Sequence, residues 1–364
     1  MLWVMNLRAP ILAAALSGLA AIGPVAVGQM TILPGTVARE ITGISDDGTR
    51  VIGRATAPHS YYFWNATGGY TFYDGLVEGG GGLPALSGDG HSLVSVSGAF
   101  DSTFGHTIIV SDSGGLTVLP RVFGEPAQNF PTSISRDGSV VSGWDQTSAG
   151  SVQVGWRWSV TSGMQVLPGF NFTLSMSGDG RTIFGGNGAG AHGMWRDGVT
   201  TAVPGGLTWV SAVNYDGRVF AGLSGLGMTI SSHGQLTAIP SLPGVGPGQF
   251  YDMNEDGTVA VGYMTDGTAQ NRPVFIWTPA TGTQRLGDYF ASFGYDLSGY
   301  RVTETHVSAD GRTFGLSARL LADQTQRFGI VITVPAPATA ALLAGFVTLR
   351  APRRRHVTPT GNPA

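Results

Sequence analysis

Seven times along the chain an apolar residue is followed by Ser or Asn, a variable residue, Asp-Gly, and an apolar run that usually ends in Gly. The copies centre on Asp47, Asp89, Asp137, Asp179, Asp216, Asp256 and Asp310. Apolar runs on both sides of Asp-Gly predict β-hairpins, because Gly tolerates positive φ and Asp caps the turn through its own backbone. In each unit a short first strand ends at the turn, as in Ile134-Ser135 and Val213-Asn214, and a second follows at once, as in Val51-Ile52-Gly53 and Ile183-Phe184-Gly185. A third carries aromatic or aliphatic anchors, among them Tyr62-Phe63-Trp64, Trp156-Arg157-Trp158 and Ile330-Val331-Ile332. A second Gly turn then leads to a fourth strand, as in Gly163-Met164-Gln165-Val166-Leu167-Pro168.

The Asp-to-Asp spacings run 42, 48, 42, 37, 40 and 54 residues, the period at which a repeat holds four strands and forms one propeller blade. The expected fold is therefore all-β, a seven-bladed β-propeller-like ring of four-stranded antiparallel blades. The seventh unit has no fourth strand of its own after Ile330-Val331-Ile332. Residues 30–35, Met-Thr-Ile-Leu-Pro-Gly, match the Leu167-Pro168-Gly169 ending of a fourth strand. They are expected to complete the last blade and remove the sheet edges of an open stack.

Composition supports a packed β protein: 57 of 364 residues are Gly, 42% are apolar and 12% are charged, a balance that disfavours disorder. With no Cys there is neither a disulfide framework nor a thiolate metal site.

Both ends read as address labels. Residues 1–28 carry Arg8, an apolar run from Ile11 to Ile22, and Ala26-Val27-Gly28 with small residues at the cleavage positions, which predicts a signal peptide cut after Gly28 and export. The other end, 334–364, has Val334-Pro335-Ala336-Pro337, an apolar stretch from Ala340 to Leu349, then Arg350 and Arg353-Arg354-Arg355. It resembles a PEP-CTERM sorting signal, in a variant with Ala336 where the family has Glu. That resemblance implies processing by an exosortase-type enzyme, membrane association through the C-terminal segment before processing, and a cell-surface or extracellular destination. Without these labels, residues 29–333 hold 15 Arg against 23 Asp plus Glu, a net charge near −8. Such a surface repels phosphate backbones and disfavours nucleic acid.

The repeat unit also resembles the HAF-type extracellular repeats. The closest correspondence is Leu286-Gly287-Asp288, Asp296-Leu297-Ser298-Gly299-Tyr300 and Val307-Ser308-Ala309-Asp310-Gly311, which is similar to the closing repeat of HAF proteins with PEP-CTERM signals. The resemblance implies a secreted or surface propeller and supplies no catalytic residues.

Candidate chemistry is sparse. The seven Asp side chains resemble the Asp boxes of sialidase-type propellers, which are themselves structural turns. Asp252-Met253-Asn254-Glu255-Asp256-Gly257 opens like an EF-hand loop, but its twelfth position is Tyr263 and not Glu. The seven His residues show no ligand spacing, and there is no G-x-S-x-G elbow. No metal or other cofactor is expected. A glycosidase needs two facing carboxylates, and Glu78, Glu125, Asp145, Asp288, Asp296 and Glu304 are the available pool. The sequons at Asn65 and Asn171 carry no assigned role.

Topology says where recognition would reside. Asp-Gly turns and the short turns between third and fourth strands share one face of the ring. The opposite face collects the variable connections, the longest from Gly287 to Thr305, and loops on a rigid scaffold are where binding concentrates. That segment and its flank hold Tyr289, Phe290, Phe293, Tyr295 and Tyr300, suited to stacking on a sugar or anchoring a protein; the competing expectation is that they pack the insertion onto blade seven. Trp144 borders a second variable connection. The sequence-level expectation is an exported, non-enzymatic binding or structural surface propeller, with extracellular polysaccharide or a surface protein as partner. The alternative is a secreted glycosidase or lyase using the variable face.

Overall fold

The computed structural model describes residues 28–57, 61–73, 84–97, 105–124, 127–147, 150, 152–265 and 272–335. The cleavage signal upstream of Gly28, most of the sorting-like tail, Glu78 and Glu125 lie outside them. Residues 28–334 form one compact unit, built from seven four-stranded antiparallel sheets. Blade 1 comprises Gly43–Ile44, Arg50–Arg54, Tyr61–Asn65 and Gly69–Tyr73. Blades 2 to 6 follow within 85–118, 127–166, 172–202, 208–238 and 246–285. Each first strand lies innermost, where neighbouring first strands meet around the axis. Each fourth strand is outermost, and those at Val199–Ala202 and Gln235–Ala238 are exposed along their whole length.

Blade 7 is assembled from both ends of the unit. Tyr300–Val307, Thr313–Leu320 and Arg327–Thr333 are its inner three strands, and Gln29–Leu33 pairs antiparallel with Arg327–Thr333, from Gln29 opposite Thr333 to Leu33 opposite Gly329. The closing strand expected at 30–35 is thus Gln29–Leu33: Pro34 has no N–H for the ladder, and the chain turns where Val37 and Ala38 donate to the Pro34 carbonyl at 2.9 Å.

The Asp-Gly turns explain their own recurrence. In blade 1 the Asp47 carboxylate accepts from the Ser45 hydroxyl at 2.6 Å and the Thr49 N–H at 2.9 Å, while the Ser45 hydroxyl oxygen accepts from the Arg50 N–H at 3.0 Å. The same bonds recur at Asp89, Asp137, Asp179 and Asp310. Where Asn replaces Ser, the Asn214 and Asn254 side-chain oxygens accept the equivalent N–H of Val219 and Val259 at 3.0 and 2.8 Å.

The Gly is required twice over. At Gly180 φ is +68°, and a Cβ there would lie 2.8 Å from Cβ of Val140 in the preceding blade; at Gly257, φ +71°, it would lie 2.4 Å from Val219. Each turn therefore seats on a side chain of the blade before it. The fully buried Trp156, Phe184, Phe275 and Phe314 fill the spaces between sheets.

Two features differ from the sequence expectation. The connections on the variable face are shorter than expected, because inner strands extend upward as Ala127–Ile134, Gly246–Met253 and Tyr300–Val307. They do so through β-bulges, such as those at Pro131/Ser133 and Val302/Glu304, which irregular sequence periodicity conceals. The segment expected as one long loop, Gly287 to Thr305, is thereby divided into a helix, Leu286–Ala291, a short connection, and the top of the inner strand of blade 7.

Two stability outcomes follow from this packing. Deleting residues 29–33 exposes the edges of blade 7 and is expected to abolish cooperative unfolding or cause aggregation; an unchanged melting temperature contradicts ring closure by this strand. Gly180→Ala should cost about 2–5 kcal/mol, combining left-handed backbone strain with a clash at the seam. Gly163→Ala, at φ +67° with open space around it, should cost only about 1–2 kcal/mol in chemical denaturation.

Candidate functional site

The inner strands enclose a polar central channel of about 350 Å³. Its lining is polar in part because hydroxyls there join one blade to the next: Ser175 Oγ donates to the Val210 carbonyl at 2.7 Å, Ser211 Oγ to Phe250 at 2.8 Å and Tyr251 Oη to Thr303 at 2.7 Å. At the Asp-Gly face, the variable residue of each repeat lines the mouth: Asp46, Gly88, Arg136, Gly178, Tyr215, Glu255 and Ala309. Arg136 Nε lies 2.7 Å from the Asp46 carboxylate, its guanidinium lies 5.4 Å from the Tyr215 ring centroid, and the Glu255 carboxylate accepts the Tyr215 N–H at 3.0 Å. Gly88 and Gly178 make room for this reach, since a Cβ would meet Asp46 at 2.5 Å and Tyr215 at 2.7 Å respectively. Burial pushes both Asp46 and Glu255 up from the usual carboxylate range.

Deeper in the channel, blades 6 and 7 bring Asp252, Glu304 and His306 together. Asp252 Oδ2 faces His306 Nδ1 at 3.8 Å, and Glu304 Oε1 faces Nε2 at 3.4 Å. Asp252 also accepts the Met253 and Val307 N–H groups at 2.8 and 3.0 Å. Burial acts to lower the His306 pKa, but the Glu304 and Asp252 charges outweigh it and leave the value raised. Each ring nitrogen of His306 thus faces a carboxyl group. Among the described residues no cluster of three or more His, Asp or Glu has metal-holding geometry. In the EF-hand-like stretch, Asp252 belongs to the channel while Asn254 and Asp256 bond within their turn.

The other carboxylates of the glycosidase pool are dispersed. Asp145 is fully buried; it accepts from Trp156 Nε1 at 3.1 Å and from the Val122 N–H, and burial pushes its pKa up to about 6. Asp288 sits in the first turn of the helix, and Asp296 accepts the Ser298 N–H at 2.8 Å.

The aromatic segment packs inward. Phe290 is fully buried, edge-on to Phe314, and Tyr289 packs against Phe290, Phe293 and Phe314. Tyr295 Oη donates to the Thr333 carbonyl at 3.0 Å, and Tyr300 lies edge-on to Phe328. With Leu286 and Leu297, these rings fill the seam between blades 6 and 7. Phe293 alone of the five is exposed, at 39%. Trp144, half-buried, stacks on Phe130 at 4.3 Å on blade 3 and does not join them.

Sequence reasoning missed a second aromatic group on the variable face. Phe172 and His192 of blade 4 meet Trp209 of blade 5, with ring centroids 6.1 Å from Phe172 to Trp209 and 5.4 Å from His192 to Trp209. Burial lowers the His192 pKa, so Nδ1 of the neutral ring can accept the Trp209 N–H, 3.4 Å away. Trp209 is 45% exposed and has φ +49°, a backbone state that disfavours bulky side chains and often marks functional positions. The available signal was a Trp seven residues before the Asp-Gly of its repeat, the place held by Phe130 and Phe172 in blades 3 and 4.

No family model and no curated protein matches the chain. Among solved structures it is similar to an oligogalacturonate lyase determined with manganese (15% identity, TM-score 0.57, covering 85% of this chain and 93% of that one). It is also similar to the β-propeller domain of the Trilobed protease from Pyrococcus furiosus (11%, 0.54, 81% and 95%) and to a streptogramin B lyase (13%, 0.51, 84% and 97%). At these identities the likeness establishes the propeller fold. The Pyrococcus domain is described as having an open velcro topology, whereas here the strand at Gln29–Leu33 closes the last blade.

The His306 cluster sets a pH dependence. A folded-state pKa above the ordinary 6.5 contributes stability that is complete below pH 6.5 and is lost as pH rises through the raised value. The urea midpoint should therefore fall between pH 6 and pH 9, and His306→Gln should flatten that slope; equal slopes in the two proteins contradict the assignment.

Proposed function

We propose that this protein is an exported, envelope-associated surface propeller that binds an extracellular polysaccharide on its variable face and performs no chemistry on it. Trp209 carries the proposal: a large ring, partly exposed on that face, is held beside Phe172 and His192 in a backbone state that packing alone does not favour. Aromatic faces with polar neighbours suit stacking on pyranose rings. The envelope destination draws on the signal-like start, the sorting-like tail and the HAF resemblance.

The non-enzymatic part draws on the channel. Three of its carboxylates are already engaged, Asp46 by Arg136, Glu255 by the Tyr215 N–H and Asp252 by two backbone N–H groups, and Glu304 lies 3.4 Å from His306 Nε2. A carbohydrate lyase, the activity named for one propeller of similar fold, is the alternative reading.

Trp209→Ala is expected to weaken binding to an immobilised panel of bacterial extracellular polysaccharides at least tenfold and to leave the melting temperature within a few degrees of wild type. The same polymers incubated with wild-type protein should yield no new reducing ends and no unsaturated uronate absorbance. Binding unaffected by the substitution overturns the assigned surface, and product formation replaces the binding reading with the enzymatic one. Binding only to purified envelope protein makes the partner a protein.

A further inference from the structure

A cleft of about 560 Å³ opens where blade 7 meets blade 1, at the seam that closes the ring. It lies on the Asp-Gly face, since Asp47, Gly48 and Thr49 of the turn and Ala66 and Thr67 of the neighbouring short turn line it. It is therefore opposite Trp209. Its size falls within the range of small-molecule sites, about 300–1,000 Å³.

The cleft has a structural cause that can be read by comparing seams. Trp64, Trp158, Trp195 and Trp277 hold equivalent register positions on their third strands, opposite Val51, Val141, Ile183 and Ala260. Each faces a side chain of the preceding blade. Ile109 clusters with Trp158 and Ile230 with Trp277, while Arg157 places its guanidinium 5.7 Å from the Trp195 ring and donates from Nε to the Gly180 carbonyl at 3.3 Å. The residue facing Trp64 is Val331, the smallest of the four. Below it Thr313 and Thr333 are short, and the outermost strand is the N-terminal one, which contributes Gln29 and Thr31. Replacing a long filler by Val at the composite blade leaves space against the indole.

The chemistry around that space is that of a polyol site. Trp64 and Val331 supply the apolar wall, and Thr31, Thr333, Asn65 and Gln29 the polar one. The Asn65 side-chain oxygen is occupied by its turn, accepting from the Thr67 N–H at 3.1 Å and Thr67 Oγ1 at 3.0 Å, which directs its NH₂ group to outside partners. The cleft's charged residues are Asp47, already engaged by Ser45 and Thr49, and Arg50, paired with Asp112. A charged ligand therefore lacks a free counter-charge there, whereas a neutral sugar finds a stacking wall and uncharged donors and acceptors.

We propose that the cleft between blades 7 and 1 is a second saccharide site, taking a short stretch of a neutral glycan against Trp64. With a first contact surface on the opposite face, one molecule could hold two polymer strands, and effective concentration would then strengthen attachment without new contacts. The site stands on its own geometry and does not depend on binding at Trp209.

Indole N–H resonances of the full-length protein titrated with cellotetraose and chitotetraose provide the test. One resonance, identified by its absence in Trp64→Phe, is expected to shift with at least one of the two sugars. Trp209→Ala should leave that response intact. Val331→Arg, which copies the filler of the blade 3–4 seam, should reduce affinity at least tenfold, and Thr31→Trp should fill the cleft from the outer strand with the same result. An unmoved Trp64 resonance with both sugars overturns the proposal, as does a response to arginine amide in their place. Undiminished affinity in a folded cleft-filling variant overturns it as well.

Discussion

Pairing between Gln29–Leu33 and Arg327–Thr333 is the constraint on which the rest of the ring depends. A stack of antiparallel blades has two ends, and each end exposes a face that the repeat built to be covered by a neighbour. Supplying the outer strand of blade 7 from the N-terminus ties the first segment of the domain to its last. Ile41, next to blade 1, can then bond Ser317 of blade 7 through both its N–H and its carbonyl, at 2.9 and 2.8 Å. Closure converts six nearest-neighbour contacts into seven and leaves no blade terminal.

Closure is continued around the axis by a ring of bonds at the Asp-Gly face. Asp46 N–H donates to Gly88, Asp89 to Arg136, Arg136 to Gly178 and Asp179 to Tyr215, all through backbone carbonyls at 2.8–2.9 Å. Tyr215 N–H donates to the Glu255 side chain, Glu255 to the Ala309 carbonyl at 3.1 Å, and Ala309 back to Asp46 at 2.9 Å. Every seam is crossed by at least one such bond. Six of the seven bonds need only a carbonyl and an N–H, the bond from Tyr215 using the Glu255 carboxylate instead, so the residue before Asp is largely free to vary, and the chain places there the groups that converge on the channel mouth.

How much of this was legible depended on whether the determinant lay within one repeat or between two. Blade number, strand order and the shared face of the short turns follow from Asp-Gly and the apolar runs beside it, and the closing strand from the Leu-Pro-Gly ending that residues 30–35 share with a fourth strand, all of them local signals. The Arg136–Asp46 contact skips a blade across Gly88, and no pattern along one strand announces it. The aromatic-rich stretch 289–300 allowed two readings, a recognition surface or packing onto blade 7, because its composition is ambiguous. Only the neighbouring Phe314, Phe328 and Thr333 show its rings packed into a seam. Trp209 was hidden by the opposite effect, as one aromatic in an ordinary connection whose unusual φ is invisible in sequence.

The division of labour among polar groups follows from the same geometry. In a ring of sheets the axis is the one place where seven inner strands present side chains to a common space, and unpaired polar groups there are costly. This molecule meets the problem by turning channel polarity into inter-blade contacts: hydroxyls from Ser175, Ser211 and Tyr251 to neighbouring carbonyls, and charged groups set against one another. A channel so occupied ties neighbouring blades together. Surfaces where a seam is imperfectly filled, or where an aromatic is held out of its usual backbone state, are under no such demand. The surfaces proposed for recognition accordingly lie at the rim, where blade 7 meets blade 1 and where Trp209 stands beside Phe172 and His192.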